Sequence, residues 1–91
     1  DAGRSMNATP DDTQAPSRTL DTLASDESGT IVRLEGDPVA VRRLMELGLV
    51  PGTRITLVRR APLGDPIELT VRDVHLSLRR SEAVGIHVVT S

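Results

Sequence analysis

The chain contains no cysteine and no phenylalanine, tyrosine or tryptophan. The first absence removes disulfides, thiolate metal ligation and cysteine nucleophiles, and it fits a reducing compartment. The second removes the stacking platforms that single-stranded nucleic acids need and the aromatic-lined grooves that hold proline-rich peptides. Lysine is missing too, so all eleven basic residues are arginines. No apolar run approaches the ~18 residues of a membrane span. The first residues also lack the charged, apolar, small-residue order of a signal peptide. These absences predict a cytoplasmic protein that neither inserts in a membrane nor binds nucleic acid.

The charge that is present is nearly balanced, at −2 overall. Asp1, Asp11 and Asp12 outnumber Arg4 within residues 1–17, and from Arg18 onward ten acidic residues face ten arginines. A neutral domain lacks the surplus of cations that phosphate neutralisation demands. Ninety-one residues suffice for one small domain. Residues 1–17 are rich in Asp, Thr, Ala and Pro without apolar periodicity, which predicts a disordered tail. Because the first residue is Asp, residues 1–5 are read as non-native, with Met6 as the natural start. The folded domain is expected over 18–91.

Within that domain Leu20 and Leu23 suggest one short turn tacked onto the fold. Residues 30–34 alternate as a strand, with Ile31 and Arg33 on one face and Val32 and Leu34 on the other. Asp37 reads as a helix N-cap before Pro38, and Val41, Leu44, Met45 and Gly48 follow at helical spacing, Gly48 as the left-handed cap. Val50-Pro51-Gly52-Thr53 reads as a type II turn. Arg54 to Arg60 alternates as a strand, and residues 61–66 break it. Ile67, Leu69 and Val71, then Val74, Leu76 and Leu78, form the two arms of a hairpin about Asp73. Ser81 can cap a short turn through Ala83, and residues 86–90 close the domain. Five short strands and one three-turn helix favour a small closed barrel, since closure removes unpaired edges.

Three stretches resemble the FeoA family in the family's own order: Leu44-Met45-Glu46-Leu47-Gly48-Leu49-Val50-Pro51-Gly52, then Ala61-Pro62-Leu63-Gly64-Asp65-Pro66, then Leu78-Arg79-Arg80-Ser81-Glu82-Ala83. The resemblance implies a mainly β, SH3-like barrel, a fold shared with the C-terminal domain of DtxR-type iron-dependent repressors. It also implies a role in bacterial ferrous-iron uptake beside the transporter FeoB. The chain departs from the family near Ala24 to Ser28, where a Pro-Gly turn is common.

Read for their chemistry, the motifs point to binding rather than catalysis. No Ser or Thr is posed beside a His with an orienting acid, and no glycine loop with lysine cradles a phosphate, so no enzyme activity is expected. Leu47-Gly48-Leu49-Val50-Pro51-Gly52 is first a structural device, in which Gly48 stops the helix, Leu49 re-enters the core and Pro51-Gly52 turns into the next strand. Leu63, flanked by chain breakers, is either a lid over one barrel end or a contact tip for another protein. Arg54, Arg59, Arg60, Arg72, Arg79 and Arg80 form either a solvated face or a basic patch. The expected docking residues are thus Leu63, Arg59, Arg60, Arg79 and Arg80, and the expected partner is the cytoplasmic side of a FeoB-type transporter. His75 and His87 are the only imidazoles, and with a carboxylate such as Glu68 or Glu82 they are the candidate ligands for Fe(II) or another divalent transition metal. That would make the chain a metal-responsive module. Self-association through open barrel edges is a third reading.

Overall fold

The structure, a computed structural model, describes residues 17–90. The predicted tail lies, but for Ser17, outside the described residues. Arg18–Thr19 forms β1 and leads into a 3-10 turn at Leu20–Thr22. Ser28–Leu34 is β2, Pro38–Glu46 is α1 and Arg54–Arg60 is β3. Ile67–Val71 is β4, Val74–Leu78 is β5, Arg80–Ala83 is α2 and Ile86–Thr90 is β6. The strands make one antiparallel sheet in the order β1-β6-β2-β3-β4-β5. The five expected strands are present, and two-residue β1 adds a sixth. Among the described residues the ladder has two ends, β1 and β5, so the expected closure is not made by strand pairing, and α2 after β5 contacts the 3-10 turn after β1.

Local chemistry sets most boundaries. The Asp37 carboxylate accepts the Ala40 N–H at 3.1 Å, and Pro38 at the first helical position needs no donor partner. Gly48, at φ +101°, ends the helix. The Thr53 N–H donates to the Val50 carbonyl at 3.1 Å with Gly52 at φ +93°, which is the type II turn. Arg72 and Asp73 both take positive φ, so the β4–β5 hairpin has the primed turn whose twist matches its strands.

Two expectations need correction, and the helix buries less than its spacing suggests. Leu20 and Leu23 are fully buried in the core rather than tacked onto it. On α1 only Leu44 is buried, at 4% exposure, while Met45 is 42% and Val39 76% exposed. This helix connects β2 to β3 and rests on the core by Leu44 alone. Finally, α2 starts after Arg79, and the carboxylate of Glu82 accepts the Arg79 N–H at 2.9 Å. Glu82, at the third helical position, therefore does the capping, and Ser81 is an exposed residue inside the turn.

The core is wholly aliphatic, running from Leu20 and Ile31 through Leu49, Leu57 and Leu69 to Ile86 and Val88. Two β-bulges shape the sheet around it. Register shifts lie between Ile31 and Arg33 and between Leu57 and Arg59. The first leaves Val32 and Arg33 both exposed and returns Leu34 to the core. An extra residue reverses the alternation beyond it, which a strict period of two cannot show.

Candidate docking site around the 61–66 loop

The bulge at Val58 decides where the arginines of β3 point. Arg59 lies on the outer face opposite Glu68, their side chains 3.2 Å apart. Arg60 turns the other way, and its part-buried guanidinium donates to the carbonyls of Asp21 and Leu23. Arg60 is thus a tie holding the 3-10 turn to β3.

Beyond Arg60 the chain leaves the sheet in a tight loop. The Ala61 N–H donates to the Pro66 carbonyl at 3.0 Å, and the Gly64 N–H to the Ala61 carbonyl at 2.7 Å. Gly64 takes φ +88°, and the Asp65–Pro66 peptide is cis. The Asp65 carboxylate accepts the Arg80 N–H at 2.9 Å, so the loop is anchored to the start of α2. At its tip Leu63 is 93% exposed. It covers no part of the core. Arg80 stands beside Gly64, and Arg79 lines a groove with Asp65 and Pro66. Arg79 and Arg80 therefore lie beside the loop that carries Leu63, Arg59 lies on the outer sheet face, and Arg60 is withdrawn. Arg54 and Arg72 lie elsewhere, around a second groove with Gly52, Thr53 and Thr70, so the six arginines form no single patch.

The groove beside Arg79 has a volume of about 650 Å³ and runs between α1, through Ala40 and Arg43, and the Ser77–Arg79 segment. Arg43 reaches across it to the Glu82 carboxylate, joining α1 to α2. The sequence signal for that residue was available in the spacing Arg79-x-x-Glu82, a capping pattern without its usual Ser or Thr. Nothing in the sequence places α1 across from β5.

The two histidines are far apart in role. His75 Nε2 lies 3.2 Å from Glu68 Oε1, so Arg59, Glu68 and His75 run as a polar row across β3, β4 and β5. His87 on β6 is largely covered and its Nε2 meets Glu35 Oε1 at 2.5 Å. Glu82 meets neither. Each histidine thus has one carboxylate partner, and the described residues hold no group of three or more metal-ligating side chains.

The hydrogen bond from Arg59 holds the Glu68 carboxyl below the ordinary glutamate value, against partial burial, and the charge of Arg59 and the His75 contact add to the lowering. A depressed folded value means that the stabilisation is whole above the ordinary glutamate value. It is lost as pH falls through the lowered folded one. Glu68→Gln is accordingly expected to lose less stability than the parent on acidification from neutral pH. Urea unfolding at a series of pH values reads the difference, and parallel curves for the two proteins would remove Glu68 from the acid response.

With one antiparallel sheet of short strands around an aliphatic core and two small helices, the chain has the character of a small SH3-like domain. It belongs to the FeoA family, matching the FeoA domain over residues 18–90. It is 42% identical over 69 residues to a protein of Porphyromonas gingivalis in which Fe(2+) transport protein A is fused to the Fe(2+) transporter FeoB. The match takes in 76% of this chain and 8% of that much longer one. The FeoA protein of Chlorobium tepidum shares 40% identity at a TM-score of 0.76, over 80% of this chain and 70% of that one. FeoA of Stenotrophomonas maltophilia, solved with zinc and described as a procaryotic SH3 domain protein, gives 31% and 0.69 over 78% and 88%. The family and the fusion relative support involvement in ferrous-iron transport. Among the described residues no helix is long and apolar enough to cross a membrane.

Proposed function

We propose that this domain is a cytoplasmic, non-enzymatic adaptor of bacterial ferrous-iron uptake that docks on a FeoB-type transporter. The observation that carries this reading is the P. gingivalis relative, in which the equivalent domain and FeoB share one chain. Fusion holds two modules at high effective concentration, an arrangement that favours modules acting on one another. The docking surface on this chain is the 61–66 loop, with Leu63 as the apolar anchor and Arg79 and Arg80 as flanking donors for carboxylates. An exposed leucine held on an anchored loop loses little conformational freedom on binding. Covering it is worth about 1.5–3 kcal/mol.

The test is an amide NMR titration of the labelled domain with the cytoplasmic GTPase portion of its transporter, under reducing, nucleotide-loaded conditions. Shifts are expected at residues 61–66 and at Arg79 and Arg80. Leu63→Asp is expected to weaken association by about tenfold or more while leaving the folded spectrum intact. Equal affinity for Leu63→Asp would remove the loop from the interface, and no association at all would end the adaptor reading.

A second reading rests on the His75–Glu68 contact together with the zinc found with the S. maltophilia protein. The pair offers two of the roughly four donors of a closed transition-metal site. A module sensing Fe(II) would therefore need water or a partner to complete the shell, and Arg59 competes for Glu68. Stoichiometric metal uptake abolished by His75→Ala supports it. Uptake indifferent to both His75→Ala and His87→Ala removes these ligands.

A further inference from the structure

Among the described residues β5 is the last strand of the sheet and pairs with β4 alone. Val71 and Val74 close a two-residue hairpin, so the facing pairs Val71–Val74, Leu69–Leu76 and Ile67–Leu78 are those that exchange hydrogen bonds. His75 and Ser77 fall between them, and their N–H and C=O groups point away from the sheet. The edge carries few of the devices that normally blunt one. Val74–Leu78 holds no proline, no arginine and no inward charge, and its register against β4 runs without a bulge. Val74, although apolar, is 52% exposed. The groove between α1 and Ser77–Arg79 leaves open space along the strand's second half.

We propose that a second copy of this chain completes the edge, β5 lying antiparallel to β5 about a two-fold axis at Leu76. This inference goes beyond the adaptor reading and does not depend on it. In this register His75 of each copy faces Ser77 of the other, so both outward residues of both strands are paired and about four backbone hydrogen bonds form. Val74 faces Leu78 and Leu76 faces its own counterpart, apolar against apolar on the inner face. Beyond the strand ends, Asp73 of each copy, the turn residue that adjoins Val74, lies on the side of Arg79 of the other, within reach of its long side chain. Neither Asp73 nor Arg79 makes an ion pair within the chain among the described residues. Arg72 is one residue further from the strand than Asp73, and Arg80 lies in α2. The strand is thus compatible with itself face for face, and the opposite charges of Asp73 and Arg79 at its two ends favour a second copy running antiparallel. A five-residue strand pair buries less than the ~1,000 Å² of a stable interface, so the dimer is weak and concentration-dependent.

Sedimentation equilibrium of the isolated chain up to about 1 mM, without transporter or metal, tests this directly, combined with amide exchange over the same concentrations. The expected result is a reversible dimer, with the His75 and Ser77 amides gaining protection as concentration rises. Ser77→Pro, which removes an outward donor on an edge strand, is expected to weaken association at least tenfold. Asp73→Arg and Arg79→Asp should each weaken it, and the double exchange should restore it. The second set reads out independently of any folding defect in the proline variant. A monomer throughout, a dimer protected elsewhere, or charge variants without mutual rescue would overturn the proposal.

Discussion

Gly85→Ala is expected to destabilise the domain by about 3 kcal/mol, the upper end of the cost of forcing an extra methyl into a packed site. A Cβ on Gly85 would land on the backbone carbonyl oxygen of Glu35, far inside van der Waals contact. That oxygen cannot rotate away as the end of a side chain could. The approach is close because the end of β2 and the start of β6 are stitched together here. The Glu35 N–H donates to the Gly85 carbonyl at 2.8 Å, and His87, two residues on, meets the Glu35 carboxylate. Relief therefore requires the two strands to part, with loss of both contacts. Domains of this size hold only about 5 kcal/mol of net stability, so the variant should unfold at a much lower urea concentration. Val84→Ala, at a half-exposed neighbouring position, should stay within about 0.5 kcal/mol of the parent. A Gly85→Ala midpoint equal to the parent's would show that no such close approach exists.

Leu20→Ala is the second variant of large effect, with an expected loss of about 2–5 kcal/mol. The side chain is fully buried although it lies just two residues from the start of the first strand. Its cavity cannot easily collapse, because Arg60 holds the carbonyls of Asp21 and Leu23 against β3, and Arg18 on the other side bonds both Glu27 and the Thr22 carbonyl. The 3-10 turn is thereby clamped from two directions. Amide exchange would separate this from mere fraying. Leu20→Ala is expected to raise exchange throughout the core, including Leu57 and Leu69, whereas an element merely tacked on would loosen only residues 18–23.

How much of this could be read from the chain follows the range of the interactions involved. The cap of α1, the two turns at Gly48 and Gly52, and the hairpin centred on Asp73 all rest on contacts within four residues, and they were legible. So was the half-buried alternation of Ile67, Leu69 and Val71, because β4 is central and unbulged. The family motifs were equally plain, and they located the 61–66 loop. The face of Arg60 was not legible, since a bulge at Val58 reverses the alternation of β3. Helix α1 was legible as a helix, but the extent of its burial was not. Apolar residues at helical spacing imply a buried face, but only Leu44 of α1 finds the core.

By itself, then, the sequence determined the mainly β class, the element order and the wholly aliphatic core. The absence of aromatics and cysteine together with regular alternation admits few other arrangements. The tertiary structure decided which residues meet across long separations. Among the described residues it made Arg60 a tie and left Leu63 in solvent, it matched each histidine to a single carboxylate, and it left β5 with an unpartnered edge. Those outcomes depend on bulges and on which strand lies last in the ladder. Strand order is fixed by hydrogen bonds between residues tens of positions apart, and no local pattern encodes them.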